Sequence, residues 1–264
     1  MRALCLTLLL AVFTSSASHA EILRMAVTTS FYNSGLAGQL LPEIAADTGI
    51  TIQLIVVGTG QSLKLGEAGD VDAILVHSRA AEDAFVEAGY GTHRREIMYN
   101  DFVFIGPLAD PANIGGSSNA VQALQRIAGL QAPFVSRGDD SGTHTTELKL
   151  WRAAGLVPEG AWYKAAGAGM GATLNVASGL NAYALADRAS WLNFGNKAEL
   201  GLLFAGDPEL FNQYSYIPVS PTRWPHVRHG LATELEAWLT SERAEALING
   251  YTINGEALFT FNAN

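Results

Sequence analysis

The sequence predicts an α/β protein built as two successive blocks. Three observations predict it. Short β-branched apolar runs alternate with segments of helical period. That alternation runs twice along 264 residues, with no Pro/Ser linker or low-complexity stretch between the two passes. And 48% of residues are hydrophobic against 16% charged, enough for a real core and incompatible with general disorder.

The chain opens MRALCLTLLLAVFTSSASHA. Arg2 is a positive start, residues 3–13 form an apolar stretch too short to span a bilayer, and Ser18 and Ala20 are the small residues of a cleavage site. Residues 1–20 therefore read as a secretory signal peptide, with the working chain starting at Glu21. Cleavage removes Arg2 and Cys5, leaving 15 basic against 25 acidic residues and no cysteine. A cysteine-free exported chain fits a periplasm, where stray thiols are oxidised. The acidic balance argues against a nucleic-acid binder, and one cysteine excludes a disulfide scaffold.

Residues 21–29 read as a strand entering a Thr/Ser turn. Leu36, Leu40, Leu41 and Ile44 recur at helical spacing, predicting a helix over 34–49 with Ser34 as N-cap and Gly49 as its stop. A buried strand follows at 51–57, then a turn and short helix at 58–69, a strand at 71–77, a helix at 80–89 and a long strand at 95–107. The second pass gives a helix at 119–129, a strand at 133–137 and a helix at 143–155. Strands are expected within 180–187, 200–206 and 213–220. Residues 228–250 are helical, broken near Thr240–Ser241. The strands around Tyr99–Ile105 and Tyr214–Val219 are placed to cross between two lobes. That gives a discontinuous division: lobe one from 21–100 plus 217–264, lobe two from 101–216.

Four segments carry chemistry. In FVSRGDDSGTHTTELKLW (134–151) a strand ends, Arg137 follows, and Ser141-Gly142-Thr143 opens a helix. A helix start offers N–H groups without intrahelical partners and partial positive charge. Ser141 and Thr143 add hydroxyls, Gly142 permits close approach, and Arg137 adds a planar fork of donors. Together they describe an anion cradle; an ordinary helix capped by Asp140 or Ser141 explains the segment equally well. In AVTTSFYNSG (26–35), Thr28, Thr29 and Ser30 stand where a strand gives way to a helix, the usual ligand position in open α/β sheets; a polar strand-to-helix loop capped by Ser34 is the plainer reading of the segment taken alone. VVGTGQSLKLG (56–66) places Thr59 between Gly58 and Gly60; it matches neither a Walker nor a Rossmann pattern. AAGAGMGATL (165–174) reads as a Gly-rich loop. Catalytic signals are poor: there is no Gly-x-Ser-x-Gly elbow. His226 and His229 lack further metal-ligand spacing and read as surface histidines, and His144 reads as structural. No enzyme activity, metal or cofactor is expected.

Taken in order, TTS with NSGL, GTGQ, VDAILVH, MYNDFVFIGPLADPA, SRGDDSGTHTTELKLW, GAGMGATL and ADRASW resemble the tungstate-binding proteins of ABC importers, the TupA type. The resemblance spans nearly the whole chain after residue 20. It implies a two-lobe periplasmic binding protein, type II-like, each lobe a mixed and mostly parallel sheet flanked by helices, with ligand in the interlobe cleft. It further implies a monomer that captures tungstate and delivers it to a permease and ATPase in the inner membrane. Carried over residue by residue, Thr28, Thr29, Ser30 and Thr59 supply donors from lobe one, and Arg137, Ser141, Gly142 and Thr143 from lobe two. Two departures stand out: Val27 replaces the first threonine of a TTTS run, and ADRASW departs from a usual Thr after DRG.

Tungstate carries no proton near neutral pH and only accepts hydrogen bonds. Its pocket should offer donors and keep carboxylates away. Asp139 and Asp140 are accordingly expected to cap the helix or orient Arg137. Phosphate keeps a proton and gains from an acceptor such as Asp. A phosphate or molybdate receptor is the alternative, and a secreted phosphoester hydrolase a more distant one.

Overall fold

A computed structural model describes residues 21–263; the expected signal peptide lies outside the described residues. The first strand, β1 (Glu21–Thr28), buries Leu23, Met25 and Val27. A short helix, α1 (Thr29–Asn33), stands where the sequence predicts only a turn, and the helix expected over 34–49 is α2 (Leu36–Thr48). The Thr/Ser run supplies its own cap, since Thr28 Oγ1 accepts from the Phe31 N–H at 3.2 Å. Helical structure thus begins five residues before the predicted helix. Ser34 is not the N-cap of the long helix: it closes α1, donating its N–H to Ser30 O at 3.0 Å. Gly35, at φ 84°, makes the corner into α2.

The first pass then continues through β2 (Ile50–Val57), α3 (Thr59–Ala68), β3 (Ala73–Val76), α4 (Arg79–Glu87) and the long β4 (Arg95–Pro107). The second contains α5 (Ala120–Leu130), β5 (Phe134–Ser136), α6 (Gly142–Ala153), β6 (Tyr163–Ala165), α7 (Met170–Leu180), β7 (Tyr183–Asp187), α8 (Arg188–Asn193) and β8 (Leu200–Phe204). Next come β9 (Phe211–Pro218), α9 (His229–Leu239) and α10 (Glu242–Asn249), with the helix break at Thr240–Ser241 as expected. Short strands β10 (Thr252–Ile253), β11 (Glu256–Ala257) and β12 (Thr260–Phe261) follow.

The main strand order is β2-β1-β3-β9-β4-β7-β5-β6. The outer trios are parallel, with β1 between β2 and β3, and β5 between β6 and β7. The joining strands β9 and β4 pair antiparallel with each other, and β9 with β3 and β4 with β7 likewise. Apolar packing divides the same way. One set of clusters draws mainly on residues 23–98 and 214–259, and another on 102–210. Each half is thus a sheet with helices on its faces, and the two are joined through β4 and β9. This arrangement sends the carboxyl ends of β1, β2, β3, β5, β6 and β7 toward the junction, where ligands settle in such sheets.

Candidate anion-binding site

From the first half, three strand ends meet. Thr28 ends β1 and is buried; its Oγ1 also accepts from Ser30 Oγ at 3.1 Å. With that hydroxyl proton committed, His77 at the end of β3 is the donor to Ser30 Oγ, 2.9 Å from its Nε2. Its Nδ1 is left bare, buried and without a partner. Burial, then the charge of Arg137, lowers the imidazole pKa to about 3, so His77 is neutral. At the end of β2, Gly58 caps α3 and Thr59 begins it. Thr59 Oγ1 is buried and has no hydrogen-bond partner.

From the second half comes Arg137, directly after β5 and only 2% exposed. Its Nε donates to Ala168 O at 3.1 Å, and its Nη2 to Asp139 Oδ2 at 2.5 Å and Thr29 Oγ1 at 3.4 Å. Ser141 is the N-cap of α6, its Oγ accepting from the His144 N–H at 3.2 Å. Thr143 is fully buried, and its Oγ1, like that of Thr59, lacks a partner. Burial opposes ionisation of Asp139. The hydrogen bonds from Arg137 and Ser141 and the guanidinium charge outweigh it and hold that carboxyl below the usual range. Asp139 therefore orients Arg137, while the Asp140 side chain is 98% exposed.

The halves touch here. A methyl on Gly142 would lie 2.6 Å from His77 O and 2.7 Å from its Nδ1. One on Gly58 would lie 3.9 Å from Ser141 Cβ, and one on Gly169 3.3 Å from Thr29 Oγ1. The missing side chain of Gly142 thus lets the start of α6 close on the end of β3, that of Gly169 lets the start of α7 approach α1, and Gly58 sets the start of α3 beside α6. Thr28, Thr29, Ser30, Thr59, Arg137, Ser141, Gly142 and Thr143 accordingly gather at one junction. A groove of about 530 Å³, lined by His77, Phe102, Lys149, Arg152 and Asn212 among others, runs between the halves beside it.

Sequence reasoning missed several residues. His77 was read only as the end of a strand; its signal was a polar residue where β3 gives way to a helix. The segment 165–174 is not simply a loop: Gly169 caps α7, which starts at Met170. The conformational permissiveness of its glycines hid a helix with few strong formers. Asp187, N-cap of α8, is fully buried, its Oδ1 accepting from the Ser190 N–H at 2.8 Å. Elsewhere, His144 Nδ1 accepts from the Asp140 N–H at 3.1 Å, a structural use. Among the described residues no group of three His, Cys, Asp or Glu is placed to hold a metal, and no helix is long and apolar enough to cross a membrane.

None of the eight predicted residues lines the groove between the halves; they lie beside it where the halves touch, Thr29 half-buried and the rest buried. Two α/β halves that meet at helix starts, hydroxyls and a buried guanidinium have the arrangement of a two-lobed solute-binding protein. Comparison with known proteins agrees. Residues 14–243 match the PBP superfamily domain. The chain is 46% identical over 245 residues to the tungstate-binding protein TupA of Peptoclostridium acidaminophilum, covering 90% of this chain and 85% of that one. The crystal structure of the tungstate ABC transporter from Geobacter sulfurreducens superposes with a TM-score of 0.82 at 46% identity, over 88% of this chain and 99% of that one. The tungstate-binding protein TupA from Desulfovibrio alaskensis G20 gives 0.79 at 45% identity, over 93% and 100%. The chain belongs to the PBP superfamily and, within it, to the family of the TupA tungstate-binding proteins.

Proposed function

We propose that the chain is the periplasmic receptor of an ABC importer, a non-enzymatic monomer that captures tungstate between its lobes and hands it to a membrane permease and its ATPase. Lobe one comprises 21–100 plus 217–264, and lobe two 101–216. Thr28, Thr29, Ser30 and Thr59 serve the anion from lobe one; Arg137, Ser141, Gly142 and Thr143 serve it from lobe two. One observation carries this reading: Arg137, buried, reaches Thr29 across the junction while the buried hydroxyls of Thr59 and Thr143 have no partner within the protein. Buried hydroxyls are seldom left unpaired, and a guest that only accepts hydrogen bonds would satisfy both.

The energetics allow tight capture. Burying a bare dianion demands replacement of its water shell. Charge-assisted hydrogen bonds contribute roughly 1.5–3 kcal/mol each, so about six give on the order of 9–18 kcal/mol gross. Nanomolar affinity needs about 12 kcal/mol net. Donors already held by α3, α6 and Asp139 keep the ordering cost low.

A phosphate receptor is the second reading, favoured by one feature. Asp187 Oδ2 is buried and unpartnered, able to accept the proton that phosphate retains. Calorimetric titration of the chain from Glu21 onward with tungstate, molybdate, sulfate and phosphate separates the two. Tungstate is expected to bind tightest, and Arg137→Lys to weaken it at least tenfold because the fork is lost. Preference for phosphate, or no binding, rejects the tungstate reading; unchanged affinity in the variant removes Arg137 from the ligand.

A further inference from the structure

Asp187 has a task the cradle leaves unassigned. It ends β7, and β7 runs beside β5, which delivers Arg137. Its Oδ1 caps α8, but its Oδ2, like the neighbouring Ser190 Oγ and Tyr214 Oη, is buried without a hydrogen-bond partner. The charged and titratable groups around it come from several elements. α6, packed on β7, brings Glu147, whose carboxyl is pushed up by burial and whose Oε1 accepts from Tyr163 Oη and Trp151 Nε1. The loop after β5 brings Arg137 and Asp139. β9 brings Tyr214, whose phenol is kept protonated by burial and by the charge of Asp187 itself. β3 brings His77, packed on Tyr214 at 4.8 Å between ring centroids and neutral. Arg188, next along the chain, turns away to Asp101 of β4 through bonds of 2.7 and 2.6 Å. The other elements packed on α8, namely α1, α7 and β10, carry no charged residue.

One cation, Arg137, stands among three carboxyls, Asp139, Asp187 and the buried Glu147, the last held by Tyr163 Oη at 2.7 Å and Trp151 Nε1 at 3.2 Å. A tungstate dianion arriving there adds two negative charges to a buried neighbourhood with a single positive one. Like charges in low dielectric drive the weakest-held carboxylate to protonate. Asp139 is fastened by Arg137 and the Ser141 N–H. Asp187 has a free oxygen and no exposure, and burial has already pushed its carboxyl up to about 6, against the hydrogen bond from the Ser190 N–H and the charge of Arg137.

We propose that Asp187 takes up one proton as the oxyanion binds, so that the receptor captures anion and proton together. The proton comes from solvent and ends on the Asp187 carboxyl; no bond to the anion is made or broken. The proposal rests on the oxyanion-receptor reading. It converts a group hostile to a proton-free guest into a neutral one with an O–H to offer, and it answers the phosphate alternative, which needs the same carboxyl ionised.

The test is calorimetry of the chain from Glu21 onward with sodium tungstate at pH 7.5, in Tris and in HEPES, whose ionisation enthalpies differ. The observed enthalpies should differ by the amount that corresponds to roughly 0.5–1 proton taken up per anion, and affinity should fall by close to tenfold per pH unit between about pH 7 and 8. Asp187→Asn keeps an acceptor for the Ser190 N–H. It should bind with no proton uptake, a flat pH profile and an affinity at pH 8 above that of the unaltered chain. Tungstate binding by the unaltered chain without proton exchange overturns the proposal and spares the receptor reading. Uptake that persists in Asp187→Asn assigns the proton to Glu147 or His77 and overturns it too. A variant that fails to fold leaves the unaltered chain's buffer dependence to decide. Absence of tungstate binding by the unaltered chain removes the receptor reading, and this proposal with it.

Discussion

Two hydroxyls at the junction, those of Thr59 and Thr143, separate a ligand role from a structural one. Burying such a group unpaired costs about 1–3 kcal/mol. If the anion is what they serve, their removal should help the free protein and harm the complex. Thr143→Val is expected to raise the stability of the free chain by about 1 kcal/mol, read by urea unfolding, while tungstate affinity falls about tenfold, or ~1.4 kcal/mol. A hydroxyl needed by the fold would move stability the other way. Gly142 permits a second substitution. Its Cβ would meet His77 O and Nδ1 at 2.6 and 2.7 Å, backbone and a buried ring that cannot simply swing aside. Gly142→Ala should hold the halves apart and reduce tungstate affinity at least tenfold, measured by calorimetry.

At the scale of elements, the corner between α1 and α2 shows why the chain turns where it does. Gly35 has φ 84°, and a Cβ there would stand 2.5 Å from Tyr251 Oη, which itself donates to Ser34 O at 2.7 Å. Gly35→Ala is expected to cost about 1–3 kcal/mol, seen as a lower urea midpoint with an unchanged slope. Most of the architecture was legible in the sequence because apolar period and glycine stops agree. The strand expected at 95–107 is β4 residue for residue, and the break at Thr240–Ser241 divides α9 from α10. The failures share a cause. Around Thr28–Ser34 and Gly167–Gly171, capping hydroxyls and glycines encode helix starts without the apolar repeat that announces a helix. The turn at SRGDDSGT was readable as structure, since a strand, an Arg and a helix capped by Ser141 sit within one segment. The places of His77 and Asp187 at the junction were not readable, because each is brought there only through pairing between distant strands.

Across the whole molecule, two buried groups pull stability in opposite directions with pH. His77 has its pKa lowered from 6.5 to about 3. Its contribution is present above about pH 6.5 and is lost as pH falls through about 3. Asp187 has its pKa raised from 3.8 to about 6. Its contribution is present below about pH 3.8 and is lost as pH rises through about 6. Asp187→Asn should therefore stabilise the free chain by about 3 kcal/mol at pH 8, since one pKa unit is worth about 1.4 kcal/mol. The same variant should be nearly neutral at pH 4; urea titrations at the two pH values check this. On binding, the halves should swing together, a hinge motion, and X-ray scattering should report a smaller radius of gyration with tungstate than without it.

The joining of the halves through β4 and β9 has a consequence for how the chain matures. The core drawn from residues 102–210 uses one unbroken stretch. The other cannot be finished until β9, α9 and α10 supply Tyr214, Leu235 and Ile248. A chain emerging amino end first thus completes its middle before its beginning, and the earlier half must wait, with apolar faces uncovered, for the final fifty residues to arrive.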